Sequence, residues 1–189
     1  MLTDSQMDKI AKRFQTAIDP TDPVVRNFAA SIAAGSPGSF NVGQLALLWL
    51  KLKNDFKYVN DPKGYDYNVS ASLNIRQGLI GDCDDAGILM TAMLEAVGGT
   101  ARTILGTGNP GHVYAECYVG KLGYFRSAVL PDLAERFPHM QTVHCHQDAV
   151  NGCWLNMDTL LGDGHPGGIL YTAISEYAVY TNGAWEAIQ

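Results

Sequence analysis

The stretch Gly81-Asp82-Cys83-Asp84-Asp85-Ala86-Gly87-Ile88-Leu89 restricts the fold more than any other. It joins a turn to a segment of helical periodicity and sets a cysteine at the junction. Leu89, Met93 and Val97 recur at one helical spacing, and Ile88, Ala92 and Ala96 at another. A buried helix is therefore expected from about Cys83 to Val97, stopped by Gly98-Gly99. Asp82 suits the N-cap, and Asp84 and Asp85 fall in the first turn, where acidic side chains complement the helix dipole. Cys83 then sits at the positive end of the helix, where free N–H groups favour the thiolate, the reactive form. Asp84 and Asp85 would oppose that thiolate, so their side chains are expected to point away or be paired, serving as caps. A cysteine at a helix start is more often inert and buried. The reading therefore turns on what lies downstream.

Two strand-like segments follow. Gly111-His112-Val113-Tyr114-Ala115-Glu116-Cys117-Tyr118-Val119 alternates, so His112, Tyr114, Glu116 and Tyr118 share one face and Cys117 turns to the core on the other. Trp154-Leu155-Asn156-Met157-Asp158 alternates too, with Trp154, Asn156 and Asp158 on one face. A histidine and a carboxylate on strands after a cysteine helix supply the base and the orienting group that an activated thiol needs.

These motifs, in this order, resemble the transglutaminase-like superfamily of papain-type cysteine enzymes. Its signature is a Gly-Asp-Cys-x-Asp helix start, a His strand and a Trp-x-x-x-Asp strand. Here these are Gly81 to Asp85, the strand of His112, and Trp154 to Asp158. Ala101-Arg102 and Tyr58-Val59-Asn60-Asp61-Pro62 fit as well, and the resemblance covers roughly residues 42 to 160. It implies an α+β fold, with N-terminal helices and the cysteine helix packed on an antiparallel sheet that carries His112 and Asp158. The order of helices first and strands later favours the same class. The resemblance also implies a triad of Cys83 as nucleophile, His112 as base and then acid, and Asp158 holding the imidazole tautomer. The Cys83 backbone N–H would meet the oxyanion. The family usually adds a side-chain donor from upstream, for which Asn74, Gln77 and a tyrosine are candidates. Tyr65, Tyr67 and Trp154 are further candidates for the cleft.

Such a thioester can be released to water, giving a peptidase or amidase, or to an amine, giving a protein-glutamine transglutaminase. A third reading is a non-catalytic binding or assembly module of the same fold, usually marked by a lost triad residue; here all three are present. The compact chain resembles single-domain bacterial and phage-associated members, thought mostly to be hydrolases. A cysteine peptidase or amide hydrolase acting on a peptide or protein substrate is thus expected. No cofactor is implied, and no acidic loop of the EF-hand type suggests calcium.

The 189 residues suffice for one domain with its own core. Residues 1–40 are expected to be a helical extension of it, and 131–153 an insertion between the His and Asp strands. A net charge of −6 argues against nucleic acid and against an anionic membrane surface. No apolar run approaches the roughly 18 residues of a membrane span. The N-terminus lacks an apolar signal core, which makes the cytoplasm the expected compartment. Cys83 as a free nucleophile leaves Cys117, Cys145 and Cys153, an odd number that suits a reducing compartment.

Helical spacing places helices over 4–18, over 23–33 after Thr21-Asp22-Pro23, and from Asn41 through Leu45, Leu48, Trp49, Leu52 and Phe56. Residues 62–80 are expected to be irregular. Gly120-Lys121-Leu122-Gly123 suggests a hairpin turn leading to a strand over 124–130. Strands are also expected over 169–174 and 177–181, with Trp185 closing the sheet. His144-Cys145-His146 with Cys153, and His139 nearby, are weak candidates for zinc, because the run lacks the paired spacings of a zinc finger.

Overall fold

The computed structural model describes residues 2–65, 67–168 and 171–188. Three amphipathic helices come first, and each starts at a side chain that satisfies an otherwise orphaned backbone N–H. Helix α1 (Asp4–Ile18) begins with a capping box between Thr3 and Gln6, α2 (Pro23–Ala33) at Asp22 with Pro23 in its first turn, and α3 (Val42–Asp55) at Asn41. Their apolar stripes, including Met7, Phe14, Val25, Leu48, Trp49 and Leu52, are buried in one core. A two-residue strand β1 (Lys57–Tyr58) pairs in parallel with β2 (Ile80–Gly81) and sets Tyr58 opposite Gly81. Helix α5 (Cys83–Ala96) follows at once.

Residues 62–80 are not irregular throughout: α4 (Ala71–Gln77) lies within them. Its signals are local and short. Ser70 caps the N-terminus through Leu73 N–H, and Gly78 ends the helix at φ 92°, a left-handed conformation that glycine adopts without a Cβ clash.

The remaining strands form a six-stranded antiparallel sheet in the order β5-β6-β4-β3-β7-β8. They are β3 (Ala101–Thr107), β4 (His112–Lys121), β5 (Cys145–Gln147), β6 (Gly152–Asn156), β7 (Ser175–Tyr180) and β8 (Trp185–Ile188). The expected α+β class holds. The sheet is curled: His146 on β5 lies 3.2 Å from Glu176 on β7. In a flat sheet four strand spacings would separate those strands by roughly 19 Å. The outer face, with Val113, Ala115, Cys117, Leu155 and Val179, packs in the same core as α5. Gly87 permits that packing, since a Cβ there would lie 3.0 Å from Val113 Cγ1 and 3.2 Å from Tyr114 Cα.

The inner face carries buried charge. Arg102 pairs with Glu116 at 2.8 Å and lies 4.2 Å over the Trp154 ring. His146 bridges Glu116 and Glu176, and Tyr114 donates to Glu176 at 3.0 Å. The two glutamates, hydrogen-bonded to His146, push its pKa up to about 9, although burial works against them.

Residues 124–130 form no strand, and no hairpin precedes them. β4 runs to Lys121, and a helical run replaces the expected strand: α6 (Leu122–Tyr124), a π-helical turn (Phe125–Val129) and α7 (Leu130–Arg136). The β-favouring composition yields to a longer period, because Phe125, Val129, Leu133 and Phe137 recur every four residues and are all buried. Pro131 sits in the first turn of α7, where a missing N–H does no harm. The segment 131–153 therefore contains α7 and β5 rather than loop alone. Of the strand expected over 169–174, Ile169 and Leu170 lie outside the described residues, and 171–174 have no strand structure; β7 starts at Ser175. No described helix is long and apolar enough to cross a membrane.

Candidate functional site

Cys83 is the first residue of α5. Asp82 caps the helix, and Asp85 completes a capping box by accepting from Asp82 N–H at 3.3 Å. The other oxygen of Asp85 takes Val69 N–H at 2.8 Å, and burial, followed by the charge of Asp82, pushes its pKa up to about 6. Gly81 makes room for this carboxylate, since a Cβ there would fall 2.0 Å from Asp85 Oδ2. Asp85 thus turns away from the thiol. Asp84 does not: the Cys83 thiol donates to Asp84 Oδ1 at 3.6 Å, and Asn68 donates to Asp84 Oδ2 at 2.8 Å.

The expectation that the helix start favours a thiolate fails at rest. Burial, then the charge of Asp84, then Asp82, push the Cys83 thiol up to about 12, against a hydrogen bond from Val113 N–H to the sulfur. Partial charges at a helix end are worth up to about 2 kcal/mol. Burial and full carboxylate charges close to the sulfur exceed that.

His112 opens β4, the strand on which α5 packs. It is buried, and its Nε2 lies 2.6 Å from Asp158 Oδ2. With the proton assigned to Nε2, Nδ1 is left as an acceptor. The ring lies between Tyr114 (centroids 5.8 Å apart, planes at 23°) and Tyr171 (5.1 Å, 55°). Asp158 stands two residues past the end of β6 and is held on every side. Its N–H donates to Asn156 Oδ1 at 2.8 Å, and its Oδ1 accepts from Leu160 and Leu161 N–H. Its carbonyl accepts from Trp49 Nε1 at 3.0 Å. A helix in the first third of the chain thereby fixes a carboxylate in the last third.

Cys83 and His112 line one cleft of about 360 Å³, walled by Tyr58, Tyr171, Leu160 and Leu161. The five other sequence candidates stand elsewhere. Asn74 is fully buried in α4 and donates to Ile80 O at 3.1 Å. Gln77 is exposed at the end of α4, and Tyr65 and Tyr67 are exposed in the loop before it. Trp154 lies on the inner face of the sheet against Arg102, Tyr118 and Tyr180. It shares a strand face with Asn156, but four residues of extended chain separate it from Asp158 by roughly 13 Å. Tyr171, Leu160, Leu161 and Trp49 were missed. The first three sit in loops without periodicity, and Trp49 read only as part of an apolar stripe.

The histidine- and cysteine-containing run does not assemble a metal centre. Among the described residues, no three of His139, His144, Cys145, His146 and Cys153 bring donor atoms together. His146 is engaged by two glutamates, and Cys153 is fully buried. The closest gathering of acids and thiol, Asp82, Cys83 and Asp84 with donor atoms within 4.8 Å of one another, is accounted for by the cap of α5.

A cysteine at the start of a helix, packed on a curled antiparallel sheet beside a buried His–Asp pair, defines a papain-like α+β protein. The family model of the transglutaminase-like superfamily matches residues 26–128, over half of the chain, and the chain belongs to that superfamily, a family of cysteine-dependent enzymes. The matched stretch includes Cys83 and His112 and ends before Asp158. No curated protein matches the sequence. Among solved structures, a cysteine protease candidate from Cytophaga hutchinsonii is 22% identical, with a TM-score of 0.40 over 50% of this chain and 32% of that one. The chain thus spans about a third of that protein's length. Calcium-bound LapG from Legionella pneumophila is 15% identical, with a TM-score of 0.39 over 80% of this chain and 82% of that one.

Proposed function

We propose that this protein is a cysteine peptidase or amide hydrolase working through Cys83, His112 and Asp158. The observation that carries the reading is the 2.6 Å His112–Asp158 pair opening onto the cleft that Cys83 shares. Three groups of the right chemistry brought together from a helix, a strand and a loop are a far narrower coincidence than a lone cysteine.

In this reading the thiol proton passes to His112 Nδ1 as the sulfur attacks the amide carbon. The oxyanion is met by the Cys83 N–H, one of the first-turn donors that a helix cannot satisfy internally. Tyr58, brought to the cleft by the β1–β2 pairing, is the upstream side chain assigned as second donor in this reading; its hydroxyl donates to Asn60 Oδ1 at 3.1 Å at rest and would exchange that acceptor for the oxyanion. The C–N bond breaks as His112 returns the proton to the leaving amine. Water, deprotonated by His112, then cleaves the thioester. Asp158 keeps Nε2 protonated throughout and stabilises the imidazolium. The substrate is a peptide or protein, and residues 1–40 and 131–153 are additions to one catalytic domain.

The test is a peptide library incubated with the parent protein and with Cys83→Ala, new termini being read by mass spectrometry. Cleavage by the parent alone supports the reading. Equal cleavage by Cys83→Ala removes it. A fluorescent primary amine in a parallel reaction reports whether an amine replaces water as acceptor.

A further inference from the structure

The Cys83 thiol donates to a carboxylate. That carboxylate is not loosely placed. Asp84 is the second residue of α5; its N–H donates to Asp82 Oδ1 at 3.0 Å, and its Oδ2 takes the Asn68 amide at 2.8 Å. An ionised carboxylate only accepts hydrogen bonds. It can therefore bind a thiol and can only repel a thiolate.

We propose that Asp84 is a restraint on the nucleophile: its hydrogen bond holds the resting Cys83 thiol and its proton until a substrate carbonyl draws the sulfur away. The proposal rests on the reading of Cys83 as nucleophile. When the S–C bond forms, the thiol proton goes to His112 Nδ1, and Asp84 remains a carboxylate throughout. The groups that face the sulfur agree with this. Tyr58 comes from β1, Asp82 and Asp84 from the cap of α5, His112 and the Val113 N–H from β4, and Tyr171 from the segment before β7. Asp61 adds negative charge behind Asp82. Of these, the Val113 N–H favours a thiolate, while burial and the acids oppose it. Such a thiol meets alkylating and oxidising reagents slowly, which spares a nucleophile that must survive between substrates.

The experiment is iodoacetamide alkylation of Cys83 as a function of pH, followed by mass spectrometry on the full chain, in the parent, Asp84→Asn, Asp82→Asn and His112→Ala. Asp84→Asn exchanges an anion for an amide of the same shape that can donate to sulfur. The parent is expected to alkylate slowly at pH 7, with a midpoint above the free-thiol value of about 8.5. Asp84→Asn is expected to lower the midpoint by one pH unit or more and to speed alkylation at pH 7 by roughly tenfold. Asp82→Asn retains a capping side chain and makes no bond to the sulfur, so a smaller gain is expected.

A parent that alkylates rapidly at pH 6, or an Asp84→Asn protein no faster than the parent or than Asp82→Asn, overturns the proposal. Should Asp84→Asn fail to fold by circular dichroism, Asp84→Ser and the parent midpoint decide. Fast alkylation in Asp84→Asn that is not slowed when His112→Ala is added to it upholds the restraint and removes the Cys–His pair. Peptide cleavage that depends on Cys83, without acceleration in Asp84→Asn, does the reverse.

Discussion

His112 and Asp158 are joined by a 2.6 Å hydrogen bond between β4 and the loop after β6, with both side chains buried. The bond selects the tautomer that leaves Nδ1 as an acceptor. Asp158→Asn keeps the shape but offers His112 an amide that can stabilise the other tautomer. If the triad reading holds, kcat should fall by roughly 10³–10⁴ with little change in KM. Steady-state kinetics on any cleaved peptide measures this, and a loss under tenfold would take Asp158 out of the mechanism.

The distance between nucleophile and base depends on Gly87, one turn into α5. A side chain there meets Val113 Cγ1 and the Tyr114 backbone. Gly87→Val should cost about 1–3 kcal/mol by overpacking, read by urea denaturation, although glycine is itself a poor helix former. The same substitution pushes the Cys83 helix away from the strand of His112. Cleavage should fall further than the fraction of folded protein does.

His146 gives the stability a pH dependence. Its folded-state pKa is raised from 6.5 to about 9 by Glu116 and Glu176. A raised value means that the folded state holds the proton more tightly, so the stabilisation is complete below pH 6.5 and lost as pH rises through about 9. The loss is on the order of 3 kcal/mol across that window. His146→Gln should flatten the curve and lower stability at pH 6, where Arg102 would be left as the main partner of the buried Glu116. Denaturation midpoints at pH 6, 7.5 and 9 give the answer, and parallel curves for the two proteins would contradict it.

Elements with a cap at one end and a stop at the other could be read from the chain: α1, α2, α3 and α5 start at Thr3, Asp22, Asn41 and Asp82. So could β4, where alternation runs long enough to separate period two from period four. Residues 124–130 could not. Over seven residues, Phe125 and Val129 fit a strand face as well as a helix stripe, and the exposed Ser127 between them is uninformative until Leu133 and Phe137 join the series. The cleft walls were illegible for another reason. Tyr171 and Leu161 reach the site through loops, and a loop's path depends on long-range contacts such as the Tyr171 hydroxyl donating to Pro110 O at 2.8 Å.

The helical reading of that run has its own test. Leu133 is fully buried on the stripe, and Glu135, two residues on, is exposed. Leu133→Ala should cost 2–5 kcal/mol, on the order of other core truncations. Glu135→Ala should stay within about 0.5 kcal/mol.

Trp49 links the first core helices to the candidate acid. Its Nε1–H donates to the Asp158 carbonyl at 3.0 Å in a buried setting. Trp49→Phe keeps an aromatic ring in the core but leaves that carbonyl without this donor, which should cost about 1–3 kcal/mol. A purely structural role would end there, with activity per folded molecule unchanged. If Trp49 instead positions Asp158, kcat should fall by roughly tenfold at constant KM, because the carboxylate is loosened against His112 only where charge develops in the transition state. Leu52→Ala, one turn along the same helix, supplies the comparison. It should destabilise the protein at least as much through cavity formation, yet leave kcat per folded molecule near the parent value.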